Sequence, residues 1–282
     1  MSNFLLGPGL RRTPQRVVSL VPSLTEAVFQ LGCGQKLVAR TDFCTSPLEV
    51  RALPSVGGTK TFETAAVLAF EPDVVLAAKE ENPRAKVEAL AAQVPVLVAD
   101  PAGPEDVPSL WRLLGSVLGV AGEAENRAQE VEALLRPSPS SAIGFVYFVW
   151  AGPHMAAGPD TYVSNLLSAA GFANAVPRGS RRYPIVDANV ALNEVVRVHF
   201  YPDEPYAFAL PGHLQAWGCR VEEKEGFFLL DGRIVCLSVN GAHFTWYPSR
   251  TAHGLQDALV LHQMLVDICA RGPQGRSLSP RR

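Results

Sequence analysis

The chain has 282 residues, of which 48% are hydrophobic and 18% are charged, and its formal net charge is −2. This length suits two domains of common size, and the apolar content is sufficient to fill a core in each. The near-neutral charge predicts no nucleic-acid partner, and no apolar run approaches the roughly 18–20 residues that would span a membrane.

The first part of the chain alternates short apolar strands with helices. Ser23 and Glu26 have the spacing of a capping box at the start of the first helix. Thr61 is predicted to cap a second helix that ends at Phe70, and 82–83 to open a third. Strands are predicted over 17–20, 37–40, 74–77 and 94–99. This alternation predicts a parallel sheet that helices cover on both faces.

A charged helical stretch over 121–135 follows, and the Pro/Ser run at 137–141 breaks the chain after it. This stretch is the best candidate for a connector between two α/β lobes. In the second lobe, strands are predicted over 142–149 and 198–200, helices over 161–170, 187–196, 203–217 and 249–270, and a hairpin over 227–237. The hairpin is predicted to turn at Asp231-Gly232, a pair that favours tight turns.

The sequence shows no signature of catalysis or of a dedicated metal site. It contains no nucleophile elbow, phosphate loop or paired acids, and its six histidines make no zinc-binding spacing. The chain is therefore predicted not to be an enzyme and to hold no intrinsic cofactor or metal. His199 is expected to be a hydrogen-bonded core residue. His243 is expected at the surface, with ligation of the metal of a bound macrocycle as the alternative.

The N-terminal residues bear on location. They have no basic start, too short an apolar run for a signal peptide, and no lipoprotein-type cysteine. As written, the chain is predicted to be cytoplasmic. A periplasmic or extracellular location is the alternative if the true start lies upstream.

Several motifs resemble the helical-backbone (class III) substrate-binding proteins, which include receptors for cobalamin and iron–siderophores. The likeness covers about residues 15–270, and part of it is similar to a cobalamin-binding-protein-like subgroup. It implies two Rossmann-like α/β lobes with parallel sheets, over 15–120 and 141–270, bridged by one long backbone helix over 121–136. The ligand would lie between the lobes, at the carboxyl ends of the strands. The motifs are Arg16-Val-Val-Ser-Leu-Val-Pro-Ser-Leu-Thr-Glu26, Val56-Gly-Gly-Thr-Lys60, Glu80-Glu-Asn82, Asp203-Glu-Pro-Tyr206 and Phe244-Thr-Trp-Tyr-Pro-Ser-Arg250.

The resemblance implies that aromatic side chains line the ligand cleft. Phe43 matches an aromatic position that faces the corrin in cobalamin receptors, and Tyr183 matches a second one. Thr59 stands where those receptors can place a tryptophan. Trp150 and Trp246 are expected at the ends of lobe-two elements, where they would complete the wall. Aromatic faces suit a large planar macrocycle because they give contact area with little loss of entropy.

Polar residues near these aromatics are expected to fix the rim of the ligand. Asp42 and Lys60 are predicted contacts, since both the amide rim of cobalamin and the carboxylates of a siderophore need fixed partners. Arg182 clusters with Arg178 and Arg181. This cluster favours an anionic ligand such as a ferric siderophore or haem, or it belongs to a solvated loop. The predicted function is capture of a corrinoid or another metal-bearing macrocycle, with siderophore or haem binding as the alternative.

The resemblance also bears on partners, because such receptors present one glutamate per lobe to an ABC permease. An ungapped placement puts Ala65 and Asn189 at those positions, with Glu63 and Glu194 nearby. These departures argue against a permease partner. A cytosolic sensor or partner-binding module that lost transport is one alternative, and a metal–tetrapyrrole enzyme or chaperone that uses His243 is another. The chain is expected to be a monomer.

Overall fold

The computed structural model describes residues 3–135 and 142–271. These residues form two compact units. Residues 3–134 and 246–252 make up unit 1, and residues 135, 142–245 and 253–271 make up unit 2. In the described part of the chain, no helix is both long enough and apolar enough to cross a membrane.

Unit 1 contains a five-stranded sheet of order β1-β5-β4-β2-β3. Strands β2 to β5 pair in parallel, and β1 lies antiparallel on the outer edge of β5. Every residue of β2, β4 and β5 is buried, as expected for a parallel sheet with both faces covered. The strands are β1 Asn3–Leu6, β2 Val17–Ser19, β3 Leu37–Arg40, β4 Val74–Ala78 and β5 Val96–Ala99.

The helices of unit 1 follow the strands in alternation. Helices α4 and α5 pack closely at Gly115, where an added Cβ would lie 2.2 Å from the Cβ of Ala124. Arg112 joins the same pair through Glu125 and Glu132, at 2.7 and 2.8 Å. The bridging role of α5 between lobes stays a prediction. The helices are α1 Pro22–Gln30, α2 Thr64–Leu68, α3 Arg84–Ala91, α4 Val107–Leu118 and α5 Ala121–Leu134, with 3₁₀ turns at Gly34–Lys36, Leu48–Ala52 and Pro104–Asp106.

Unit 2 contains a seven-stranded mixed sheet of order β10-β11-β12-β9-β6-β7, with β8 also paired to β6. Strands β12, β9, β6 and β8 run parallel, so their carboxyl ends meet at one edge. The other strands are antiparallel to their neighbours. The strands are β6 Ile143–Trp150, β7 Met155–Ala156, β8 Phe172–Asn174, β9 Val196–Pro202, β10 Val221–Lys224, β11 Phe227–Leu230 and β12 Ile234–Val239.

The remaining helices are short except for the last. They are α6 Tyr162–Ala169, α7 Ala188–Ala191, α8 Gly212–Gln215, α9 Gly241–Thr245 and α10 Thr251–Arg271. The predicted α/β fold with two lobes and parallel sheets is confirmed. Two local predictions also hold. The helix predicted over 161–170 forms as α6, where the Thr161 side chain accepts from the Ser164 amide, and Asp231-Gly232 makes the β11–β12 turn with positive φ at both residues.

Other local predictions are wrong. Ser23 and Glu26 do not form a capping box, because α1 begins at Pro22 and both residues are buried inside it. Thr61 does not cap α2, since its hydroxyl accepts from the Gly58 amide instead. The helix predicted over 203–217 reduces to Gly212–Gln215. Two prolines lie in that segment, and proline lacks the amide that a helix interior needs. The helix capped by Asp187 ends early, at Ala191.

Candidate functional site

In unit 1, a turn after β3 presents Phe43 at the surface. The Cys44 amide donates to the Thr41 carbonyl at 3.1 Å, and both side chains are buried. The Cys44 sulfur lies 3.1 Å from the Thr25 hydroxyl and 3.2 Å from that of Thr41. Burial is the main cause that raises the pKa of this thiol. The buried side chains of Thr41 and Cys44 therefore fix the turn on its inner side, whereas the Phe43 side chain is 60% exposed.

The loop over 57–61 lies against this aromatic ring. A Cβ added at Gly58 would come within 3.2 Å of Phe43 Cε2. The Asp42 amide donates to the Gly57 carbonyl at 2.9 Å, and its carboxylate accepts from Ser55 at 2.5 Å. Lys60 is exposed in the same loop. The structure thus brings Phe43 and the 57–61 loop together, and Asp42 braces the loop.

Asn82 holds the carboxyl ends of β2 and β4 and the 57–61 loop in place. Its side-chain oxygen accepts from the Ala78 amide at 2.9 Å. Its amide group donates to the carbonyls of Thr59, at 2.8 Å, and Leu20, at 3.4 Å. The sequence signal was the Glu80-Glu-Asn82 motif, but sequence reasoning assigned Asn82 only to a helix start. Its side chain in fact joins β2, β4 and the 57–61 loop.

Trp246 lies in a segment that groups with unit 1 rather than with the lobe-two elements where it was expected. Trp246 is half-buried, and its carbonyl accepts from the Arg250 amide at 2.8 Å. The Arg250 guanidinium makes a two-pronged ion pair with Glu26, at 2.8 and 2.6 Å. Gln30 also donates to the Ser249 carbonyl at 3.2 Å. These bonds anchor the segment on α1.

In unit 2, aromatic side chains gather where β6 and β9 end. Trp150 is the last residue of β6 and is 45% exposed. Its ring meets that of Tyr206 edge-on, with centroids 5.0 Å apart. The Tyr206 hydroxyl lies 3.1 Å from His213 Nε2, and Phe208 packs on both rings. Sequence reasoning did not select Tyr206 as a site residue because the segment was predicted to be helical.

Tyr183 lies on a segment that runs antiparallel to β7. The Gly158 amide donates to the Arg182 carbonyl at 2.8 Å, and the Ala156 amide donates to the Pro184 carbonyl at 3.1 Å. Tyr183 is 38% exposed. Arg182 is half-buried, whereas Arg178 and Arg181 are exposed. The backbone of this segment is therefore fixed, and the aromatic side chain reaches the surface.

The histidines proposed from sequence have protein partners. His199 is fully buried, with Nε2 2.8 Å from the Ala191 carbonyl and Nδ1 3.2 Å from the Tyr201 hydroxyl, as predicted for a core residue. Burial lowers its pKa to about 4. His243 Nδ1 lies 2.7 Å from Asp257. In residues 3–135 and 142–271, no three histidine, cysteine or acidic side chains lie where they could hold a metal ion together.

Both expected docking positions lie at the surface. Ala65 in α2 and Asn189 in α7 are exposed. Glu63, at the start of α2, has a side chain 78% exposed and lies 3.3 Å from Lys86. The Asn189 side chain donates to Asp187 at 3.1 Å. The link between these positions and docking to an ABC permease stays a prediction.

Comparison with known proteins places this arrangement in context. Residues 17–200 match the periplasmic binding protein family. The chain is 30% identical over 133 residues to the vitamin B12-binding protein of Pectobacterium carotovorum subsp. carotovorum strain PC1, which is 47% of this chain and 48% of the relative. It is 35% identical over 88 residues to that of Yersinia pestis strain Pestoides F, which is 31% of each. The chain thus spans about half the length of these relatives, or less.

Solved structures share the fold over most of the chain. The periplasmic vitamin B12 binding protein of Vibrio cholerae superposes with a TM-score of 0.75 at 18% identity, over 91% of this chain and 99% of that one. A periplasmic heme-binding protein from Roseiflexus sp. RS-1 gives 0.67 at 20% identity, over 89% and 98%. At such identities the likeness establishes the fold. The predicted relationship to substrate-binding proteins is confirmed.

Proposed function

Because this chain belongs to the periplasmic binding protein family, we propose that it captures a corrinoid or another metal-bearing macrocycle. The observation that carries the proposal is the exposure of Phe43 on a turn whose flanking residues are buried and hydrogen-bonded. An aromatic side chain that is exposed to solvent on a fixed turn provides a flat surface for contact with a planar ligand. Trp150 and Tyr183 offer two more in unit 2, at 45% and 38% exposure.

The relatives support the chemical class of the ligand. Curated relatives are vitamin B12-binding proteins, and structural neighbours include B12- and heme-binding proteins. Such a macrocycle would be carried as a ligand and not as a cofactor. Haem is the second candidate, favoured by the exposed Arg178 and Arg181 on the chain segment that precedes Tyr183. Guanidinium groups suit carboxylate recognition, so these residues would meet the propionates.

Polar contacts in the proposal come from three residues. Lys60 is exposed two residues from Gly58, over which Phe43 lies, so its ammonium group can reach the rim of a ligand stacked there. Asp42 would contribute chiefly by holding the 57–61 loop, because its carboxylate already accepts from Ser55. Arg182 would contribute in unit 2, on the same fixed segment as Tyr183.

We further propose an exported protein that delivers its ligand to an ABC permease. The structural neighbours named above are described as periplasmic, which supports the periplasmic alternative over the cytoplasmic expectation. Glu63 would take the docking role expected at Ala65, since it lies two residues away and its side chain is 78% exposed. Glu194, exposed after α7, would do so in place of Asn189.

Isothermal titration of the purified chain with cyanocobalamin, dicyanocobinamide and haem tests the proposal. We expect saturable binding of at least one corrinoid, and a loss of about 10- to 100-fold in affinity for Phe43→Ala, since burial of a phenyl group against a ligand stabilises the complex by about 1.5–3 kcal/mol. Leu48→Ala is the matched control, because Leu48 is 72% exposed in the 3₁₀ turn that follows and is expected to leave affinity unchanged. Absence of heat and of any thermal shift with all three ligands would refute the proposal.

A further inference from the structure

The two helices that follow β12 bring two histidines and a carboxylate together in unit 2. His243 lies in α9, while His253 and Asp257 lie in α10. Residues 253 and 257 are four apart, which places both side chains on the same face of α10. The His243 ring contacts both of them: its Nδ1 lies 2.7 Å from Asp257 Oδ2, and its centre lies 5.3 Å from that of the His253 ring.

Gly254 allows α9 to lie this close to α10. A Cβ added at Gly254 would lie 2.1 Å from the His243 carbonyl oxygen, which is too close for any side chain. Glycine is the residue that permits such an approach of two backbones. The His243 amide also donates to the Asn240 side chain at 3.3 Å. Backbone packing therefore fixes His243 over the face of α10 that carries His253 and Asp257.

The contact with Asp257 determines which ring nitrogen of His243 is open. An ionised carboxylate only accepts hydrogen bonds, so His243 Nδ1 carries the hydrogen, and Nε2 of the neutral ring presents its lone pair. The His243 side chain is 21% exposed, and His253 is exposed, so solvent reaches both rings. A carboxylate that accepts from the second ring nitrogen is the usual arrangement behind a histidine that binds a metal ion.

The spacing of the two rings suits binding of one metal ion by both histidines. A zinc–nitrogen bond of about 2.0–2.1 Å places each ring centre about 3.2 Å from the ion, and two such rings at a tetrahedral angle have their centres about 5.2 Å apart. The observed separation is 5.3 Å, and the rings are tilted by 37° rather than stacked in parallel. The separation of the ring centres is therefore that of a pair of ligands.

We propose that His243 and His253 bind a divalent transition-metal ion from solution. Zn²⁺, Cu²⁺ and Ni²⁺ are the candidates, because imidazole suits these ions. Asp257 would orient His243 without touching the metal, since no three histidine, cysteine or acidic side chains within residues 3–135 and 142–271 could hold an ion together. Water would complete the coordination on the exposed side.

This site differs from the sequence prediction that the chain holds no metal. That prediction considered histidines at fixed spacings along the chain, whereas His243 and His253 belong to two different helices. The site also goes beyond the proposed function, because its ion is free in solution and is not the metal of a macrocycle.

A bound ion would join the two ends of the segment over 246–252. That segment groups with unit 1, whereas His243 and His253, which flank it, both group with unit 2. The segment carries Trp246, one of the residues expected at the ligand site. Joining the ends of a loop reduces its conformational freedom. The ion would therefore stabilise the segment that carries Trp246.

Calorimetric titration of the tag-free, chelator-treated chain with Zn²⁺ and Cu²⁺ tests the site with no macrocycle present. We expect one ion per chain, a Tm that rises with Zn²⁺, and no binding of Mg²⁺ at the same concentrations, because Mg²⁺ prefers oxygen ligands. Asp257→Ala is expected to weaken binding about tenfold or more, as is typical for the outer partner of a histidine ligand. Asp257→Asn retains an acceptor for Nδ1 and should recover part of that loss.

The histidine variants test the ligands themselves. His243→Gln and His253→Gln should each weaken binding more than Asp257→Ala does, because each removes a ligand. Gln256→Ala is the matched control, since Gln256 is exposed in the same turn of α10 and should leave affinity unchanged. Electron paramagnetic resonance of the Cu²⁺-loaded chain should show two imidazole nitrogens, and one in His253→Gln. Because His253 is exposed, the metal-free Tm of His253→Gln should equal that of the wild type.

Each outcome supports or overturns the site. Binding of one ion that both histidine variants weaken, with Gln256→Ala unaffected, would support it. Binding that His243→Gln and His253→Gln retain in full would place the ion elsewhere and overturn it. Absence of saturable Zn²⁺ or Cu²⁺ binding by the wild type would also overturn it. None of these results decides macrocycle binding, which the titrations with cyanocobalamin, dicyanocobinamide and haem test separately.

Discussion

Arg250→Met should destabilise unit 1 substantially, although the residue lies at the end of a loop. The Arg250 guanidinium binds both carboxylate oxygens of Glu26 at 2.6 and 2.8 Å. The Glu26 side chain is only 11% exposed and that of Arg250 is 27% exposed. Loss of the arginine would leave a carboxylate inside α1 with Ser46 as its remaining side-chain hydrogen-bond donor, at 3.4 Å.

Removal of one partner from a buried ion pair typically costs about 3–5 kcal/mol. Partial exposure of Arg250 places the expected loss near the lower end, at about 3 kcal/mol. At about 2–4 °C per kcal/mol, the transition of unit 1 should fall by about 6–12 °C. Adding Glu26→Gln to Arg250→Met should recover at least half of the loss, because no buried charge would then remain.

Scanning calorimetry of the single and double variants measures these shifts. Arg84→Met is the matched control, since its ion pair with Glu88 has side chains 91% and 55% exposed and is expected to contribute little to stability. A loss for Arg250→Met no larger than that of Arg84→Met would show that solvent screens the Glu26 pair. Failure of the double variant to recover stability would show that packing of the arginine matters more than its charge.

Three further variants test other parts of the structure. Burial holds the pKa of His199 at about 4, so below about pH 6.5 the unfolded chain binds a proton that the folded chain does not. The free energy of unfolding should therefore be about 2–3 kcal/mol lower at pH 4.5 than above pH 6.5. Urea unfolding of His199→Gln should show a flatter dependence of this free energy on pH. Asn82→Ala leaves the Ala78 amide without its acceptor and should cost about 2–4 kcal/mol in the same assay, with weaker ligand binding; an unchanged midpoint would contradict its bracing role. Gly144→Ala would place a Cβ 2.0 Å from the Val195 carbonyl and should cost about 3 kcal/mol or more, so a native circular dichroism melt would count against such close backbone packing.

Local chemistry explains which elements of the fold were predictable. Asp231-Gly232 determines a turn through two residues that tolerate positive φ, and Thr161 caps α6 with its own hydroxyl. Both features depend on neighbours within three residues. Ser23 and Glu26 show the same kind of pattern, but the partner of Glu26 is Arg250, 224 residues away. A tertiary partner that distant cannot be read from local spacing.

The residues of the candidate site also differ in how far the sequence could predict their positions. The position of Phe43 after β3 and of Trp150 at the end of β6 was predictable from the apolar runs beside them, whereas their contact with a ligand stays a prediction. Tyr206 was missed because Pro205 and its neighbours were assigned to a helix.

Strand β1 has a protective consequence for the outer edge of the unit 1 sheet. Asn3–Leu6 pairs antiparallel with Val96–Ala99, a fully buried apolar strand. Without β1, the amides and carbonyls on the outer edge of that apolar strand would be unpaired, and such an exposed edge favours edge-to-edge self-association. A truncated form that starts after Leu6 should therefore retain its core yet aggregate in a concentration-dependent manner.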